Sequence, residues 1–176
     1  MDLRALNIVV LVAAGGLFLA SGTQREHSVL AEGNTEAVRT LETGFAAHGD
    51  AASLTALTQG YLDAQAPGLA ISAVEGAPAN LQSDAKVQHT YARALLEAGR
   101  ANEALAAEQR VLDACAAVAE APGTTSCDSW LLASATRRSD ILKELVQLGI
   151  EDAQAHPEAS AVAYQSATRQ ASLAVR

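Results

Sequence analysis

Three side chains that can carry positive charge are spaced for one face of a predicted helix: Lys86, His89 and Arg93. The spacing i, i+3 and i+7 places them on the same side of an α-helix. Together they could hold the carboxylates of an acidic segment or of a free C-terminus, with Arg93 binding bidentately. The alternative is that Lys86 and Arg93 are ordinary solvated charges, paired with Asp84 or Glu97 at helical spacing.

Residues suited to catalysis are few. The histidines are scattered without the paired helical spacing of a zinc site: His27, His48, His89 and His156. The sequence contains no glycine-rich phosphate loop and no Gly-x-Ser-x-Gly motif. Acidic pairs such as Glu151 with Asp152 are typical of a helix surface. We therefore expect no metal, no cofactor and no enzymatic activity.

The two cysteines, Cys115 and Cys127, flank a predicted turn that contains Pro122 and Gly123. Their proximity along the chain makes a structural disulfide the favoured prediction, and it would suit an exported protein. Two reduced, buried cysteines are the alternative. A redox-active pair is disfavoured because the spacing is not Cys-x-x-Cys.

The N-terminal segment has the features of an export signal. Arg4 precedes a mostly apolar run from Ala5 to Ala20, and the small residues Ser21 and Gly22 follow. This pattern predicts a signal peptide over residues 1–22, with cleavage after position 22. The run is also at the lower length limit of a membrane-spanning helix, so an uncleaved signal anchor is an alternative, and a buried hydrophobic helix is a third. The predicted location is periplasmic, or membrane-anchored and facing the non-cytoplasmic side.

A repeat with a period of 34 residues occupies the centre of the chain, where residues 51–84 align with residues 85–118. Apolar or small residues coincide in the two copies: Leu57 with Tyr91, Tyr61 with Leu95, Ala70 with Ala104, Ile71 with Leu105, and Ala77 with Val111. A single helix pair cannot bury its apolar side, so tandem copies stack and share a core. The sequence thus predicts an all-α fold of stacked antiparallel helix hairpins.

Residues 51–118 resemble the tetratricopeptide repeat family, which has the same period. Its large-small-aromatic run, its inter-helix glycine and its small residue in the second helix correspond here to Leu57, Thr58, Tyr61, Gln65 and Ala70, then to Tyr91, Ala92, Leu95, Gly99 and Ala104. The chain departs from the family at the tryptophan position, which holds Leu54 and Gln88, and at the closing proline, which holds Gln82 and Ala116.

The resemblance implies a peptide-binding groove on the concave side of the stack. The family's groove positions in the first helix of each hairpin are Lys86, His89 and Arg93 in the second copy, and Ala52, Thr55 and Gln59 in the first. One of Arg137 and Arg138 could extend the basic strip, but adjacent helical residues point about 100° apart, so at most one faces the groove.

The flanking segments are predicted to complete the stack. We expect an incomplete leading unit over residues 23–50, a cysteine loop over residues 119–127, and a capping helical hairpin over residues 128–176. Trp130, in the capping hairpin, is expected to be packed core rather than a ligand platform.

Charge and composition narrow the class of partner. The formal net charge is −8, and no Lys or Arg occurs between Arg39 and Lys86, so much of the surface would repel a phosphate backbone and we do not expect nucleic acid as a partner. We predict a non-catalytic scaffold or adaptor that binds a protein or peptide segment, an acidic one being a candidate, outside the cytoplasm. The N-terminal segment would contact the membrane if it is uncleaved. The alternatives are a structural subunit of an envelope assembly and, less favoured, an enzyme.

Overall fold

A computed structural model of the 176-residue chain describes residues 34–120 and 127–174. The predicted signal or anchor over residues 1–22 lies outside these ranges. The described residues form helices and no strand, which confirms the all-α prediction: α1 (Thr35–His48), α2 (Ala51–Asp63), α3 (Pro67–Glu75), α4 (Ala79–Gln82), α5 (Ala85–Glu97), α6 (Ala101–Glu120), α7 (Ser129–Gln147) and α8 (Pro157–Ala174). None of these helices combines the length and the apolar character that a membrane crossing requires.

The 34-residue offset recurs in how the helices begin. Asp50 caps α2, and its carboxylate accepts a hydrogen bond from the backbone N–H of Ser53. Asp84, 34 positions later, caps α5 in the same way with the N–H of Val87. A side-chain acceptor at this position satisfies a backbone donor that the helix itself leaves unpaired.

The offset recurs equally where these helices end. Gln65 and Gly99 both have left-handed backbone conformations, with φ of 57° and 75°. Around them, the N–H of Ala66 donates to the carbonyl of Tyr61, and the N–H of Arg100 donates to the carbonyl of Leu95, each at 2.9 Å. This Schellman turn normally uses glycine, so Gln65 occupies a position that disfavours a side chain.

Helices that are close in the chain pack against one another. Helix α2 contacts α1, α3 and α5; α5 contacts α3 and α6; α6 contacts α7, and α7 contacts α8. One continuous apolar core runs from Val38 of α1 through Leu57 and Leu95 to Leu142 of α7 and Ala163 of α8. Residues from helices at both ends of the described chain therefore share one core.

Helix α7 starts with an aspartate cap and ends with a Schellman turn, as α2 and α5 do, although the 34-residue period does not extend to it. Asp128 caps its start by accepting from the N–H of Leu131. At its end, the N–H of Ile150 donates to the carbonyl of Leu145, and Gly149 takes a left-handed conformation. Helix α7 is longer than α2 and α5, which accounts for part of the changed spacing.

Two local features differ from expectation. The expectation of a buried Trp130 is wrong: 67% of this residue is exposed. The buried side of α7 is formed by Leu131, Ala135, Leu142 and Leu145, and Trp130 is one position from that row, about 100° around the helix. The short helix α4 was also not anticipated; it begins directly after Pro78, whose extended ψ of 145° starts a new segment.

Candidate functional site

An open groove of about 420 Å³ lies between the N-terminal parts of three helices. Helix α2, helix α5 and the start of α7 line it with Ala51, Ala52, Thr55, Asp84, Ala85, Lys86, Cys127 and Leu131. Most of these residues are small or apolar, so a ligand backbone could approach the helices closely. Of the six positions that the sequence analysis assigned to a groove, Ala52, Thr55 and Lys86 are among its lining residues.

Lys86 is exposed in the groove and already has an acidic partner. Its Nζ lies 3.3 Å from Oδ2 of Asp128. The pKa of Asp128 is lowered, first by the backbone hydrogen bond from Leu131 and then by Lys86. The pair therefore links the start of α7 to the start of α5 across one side of the groove.

The other predicted polar groove residues bond within their own helices. Arg93 donates through Nε to Glu97 at 2.8 Å, one turn along α5. Gln59 donates to Asp63 at 2.7 Å on α2. The alternative raised from the sequence for Arg93, a pairing with Glu97, is the arrangement observed.

His89 is buried and faces the interior between α6 and α7. It is 5% exposed. Its Nδ1 lies 2.9 Å from the carboxylate of Glu108, and its Nε2 lies 3.0 Å from Oγ of Ser134. In the neutral tautomer that fits these contacts, Nδ1–H donates to Glu108 and the Ser134 hydroxyl donates to Nε2. His89 therefore does not lie beside Lys86 and Arg93 as a third donor in the groove.

Arg138 completes this buried network. Its Nη1 donates to Oε1 of Glu108 and to the backbone carbonyl of His89, each at 2.8 Å. Arg137 instead contacts Tyr164: its Cζ lies 5.4 Å from the centre of the ring, and its Nη2 donates to the hydroxyl. Neither arginine is among the residues that line the groove, and Arg138 is the one that reaches His89.

Ser134, His89 and Glu108 are connected in the order of a hydrolase triad, but their setting favours a structural role. The guanidinium of Arg138 also pairs with the Glu108 carboxylate. The negative charge of Glu108 is therefore divided between Arg138 and His89, whereas the acid of a catalytic triad orients and stabilises the imidazole. Ser134 lies beyond the first turn of α7, where the backbone N–H groups bond within the helix and are not available to form an oxyanion hole. The network instead joins α5, α6 and α7 through buried polar contacts.

Glu108 is not among the residues predicted from the sequence, although a pattern could have indicated it. Glu108 is fully buried and follows the buried Ala104 and Ala107 on the apolar side of α6, with Val111 after it. A carboxylate at the position expected for an apolar residue needs a buried cation or donor. Its partners lie on two other helices, and spacing along the chain does not identify them.

Cys115 and Cys127 lie at disulfide distance, with their Cα atoms 5.3 Å apart. They connect α6 to the residue before the α7 cap, and Cys127 lines the groove.

Among the described residues, no group of three or more His, Cys, Asp or Glu side chains is arranged to hold a metal ion. In comparisons with known proteins, the chain matches no family model, no curated protein and no solved structure.

Proposed function

We propose that this chain is a tetratricopeptide-like interaction scaffold that binds a protein segment in the groove and performs no chemistry of its own. The observation that carries the proposal is the open groove between the N-terminal parts of α2, α5 and α7. Support for the repeat comes from the aspartate caps and the Schellman turns, which recur at the predicted 34-residue offset.

The lining of the groove suits an extended peptide. The small side chains of Ala51, Ala52 and Ala85 let a bound backbone come close to the helices, and Thr55 and Lys86 add a few polar groups. Binding sites of this kind combine apolar walls with a small number of placed polar groups that set orientation. Lys86 and Arg93 are engaged by Asp128 and Glu97, so attraction to an acidic segment would require these pairs to open.

We place this function outside the cytoplasm. The cysteine pair at disulfide distance suits an oxidising compartment, and the N-terminal sequence over residues 1–22 has the pattern of an export signal. An uncleaved N-terminal segment would tether the groove to the membrane surface.

Selection from a library of random peptides displayed on phage tests the groove directly. Ala52 lines the groove and is exposed on α2, so Ala52→Trp should fill it and reduce peptide enrichment about tenfold or more, a loss of at least ~1.4 kcal/mol in binding. Ala106 is an exposed alanine of α6, and Ala106→Trp is the matched control that should keep the enrichment of the wild type.

A structural role in an envelope assembly is the second candidate function. The large exposed apolar residues of the described chain all lie on or next to α7 and α8: Trp130, Leu132, Leu148, Val162 and Tyr164. Apolar surface at the end of a helical stack is a feature of interaction sites. Equal peptide enrichment by the wild type and Ala52→Trp would argue against the groove and favour this end surface.

A further inference from the structure

The charges beside the groove are mainly negative. The three helices that line it start after aspartate caps, Asp50, Asp84 and Asp128, whose carboxylates bond backbone N–H groups of the first turn. Among the residues lining the groove, Lys86 alone is positively charged, and it is paired with Asp128. Asp84 is a lining residue, and Asp50 and Asp128 are directly adjacent in the chain to the lining residues Ala51 and Cys127. The formal charge of the three caps and Lys86 is therefore negative, as is the net charge of −8, and the positive partial charges of the helix N-termini offset part of it.

The remaining cation predicted for this side of α5 does not change that balance. Arg93 is not among the lining residues, and its guanidinium is paired with Glu97 on the same helix. A positively charged segment would be attracted to the groove. An acidic segment would be repelled by the aspartates, and repulsion of this kind lowers the affinity for the wrong partner.

An exposed aromatic side chain lies at the start of α7, close along the chain to the Asp128 cap. Trp130 follows the Asp128 cap by two positions and directly precedes Leu131, which lines the groove. Trp130 contacts His89 edge-to-face, with the ring centres 5.9 Å apart. Trp130 nevertheless remains 67% exposed. Tryptophan is the strongest aromatic partner for a cationic side chain.

We propose that the groove selects a peptide segment with a Lys or Arg side chain flanked by small apolar residues. The cationic group would lie by Asp84 and Asp128, releasing Lys86 from its ion pair, and would contact the Trp130 ring. The small flanking residues would pack along Ala52 and its alanine neighbours. This inference rests on the proposed peptide-binding function and replaces the acidic segment considered from the sequence with a basic one.

Fluorescence anisotropy with the full chain and three labelled peptides tests this selection. The peptides consist of repeated Ala-Arg-Ala, Ala-Glu-Ala or Ala-Gln-Ala units. At about 50 mM salt, where surface charges are weakly screened, the arginine peptide should bind about tenfold more tightly than the other two. The preference should decrease as salt is raised.

Variants distinguish a specific site from general attraction to an acidic protein. Trp130→Ala should weaken the arginine peptide about tenfold by removing the cation–π contact. Asp128→Asn should weaken it about fivefold, because asparagine keeps the helix cap but not the charge. Asp140→Asn removes a carboxylate from the same helix, where it pairs with Lys143, and should leave binding unchanged.

The outcomes separate the two proposals. Equal affinity for the three peptides, preference for the glutamate peptide, or equal losses in Asp128→Asn and Asp140→Asn would overturn the basic-segment inference. If Ala52→Trp still reduces binding about tenfold or more in those cases, the groove function stands. Binding of none of the peptides, together with no enrichment from the phage library, would overturn both.

Discussion

Glu108 is fully buried and holds two partners from different helices, His89 of α5 and Arg138 of α7. A buried carboxylate is costly unless it is paired and hydrogen-bonded. The network therefore makes the mutual placement of these helices depend on a few side chains. Ser134 extends it through its contact with the other ring nitrogen of His89.

Removing one member of the network should cost more than removing an ion pair at the surface. Glu108→Ala leaves Arg138 without its buried partner and should lower the free energy of unfolding by about 3 kcal/mol. Urea unfolding followed by circular dichroism measures the loss. Glu108→Leu combined with Arg138→Met should recover part of it, because both buried charges are then removed, although the Nδ1–H of His89 loses its acceptor.

The exposed pair of Lys143 and Asp140 provides the control for this measurement. Lys143→Gln should change the free energy of unfolding by about 0.5 kcal/mol or less, as is usual for surface pairs. A loss of that size for Glu108→Ala would contradict a stabilising role of the buried network.

At the scale of helices, the turns after α2 and α5 have one hydrogen-bond pattern and different residues at the left-handed position. Gly99 adopts that conformation without a clash between Cβ and backbone, whereas Gln65 must place a side chain there. The turn after α2 therefore contains backbone strain that packing of the hairpin outweighs.

Gln65→Gly should stabilise the protein by relieving this strain. We expect the free energy of unfolding to rise by roughly 1 kcal/mol, the lower end of the range for a non-glycine residue in this conformation. The reverse change, Gly99→Ala, should destabilise the protein, since an added Cβ would also lie 3.2 Å from the Cβ of Asp152. Thermal unfolding of both variants gives the comparison, and lower stability of Gln65→Gly would show that this turn is not strained.

At the scale of the whole molecule, two tyrosines form hydrogen bonds between neighbouring helices. Tyr61 of α2 donates to Glu42 of α1 at 2.6 Å, and Tyr91 of α5 donates to Glu75 of α3 at 2.8 Å. Burial, and then the hydrogen bond to a glutamate, raise the pKa of each tyrosine to about 12. The folded protein therefore favours the protonated phenols.

The sign of the pH dependence follows from these raised values. Ionisation at the ordinary pKa of 10.0 is easier in the unfolded chain, so the stabilisation is complete below pH 10.0 and is lost as the pH rises towards about 12. Urea unfolding across this interval should show decreasing stability. Tyr61→Phe should reduce that decrease, and an unchanged pH profile would contradict the assignment to Tyr61.

Part of the candidate site could be predicted from the sequence. Ala52, Thr55 and Lys86 were expected in a groove and line the one described above, because positions in the first two turns of α2 and α5 follow from local helix geometry. His89 was expected beside Lys86 and is buried instead, since its orientation depends on Glu108, which lies 19 positions away. The binding of a peptide, its charge and the export of the chain stay predictions.

The sequence by itself determined that the chain is helical and that the turns at Gln65 and Gly99 are 34 positions apart, because these features depend on contacts within a few residues. The sequence also indicated the cysteine pair, because closing a loop between residues 12 positions apart costs little conformational entropy. Tertiary structure alone decided that Glu108 pairs with His89 and Arg138, that Trp130 is exposed, and that Lys86 meets Asp128. Each of these outcomes depends on how separate helices pack, and periodicity within one helix carries no information about the residue that faces it from another.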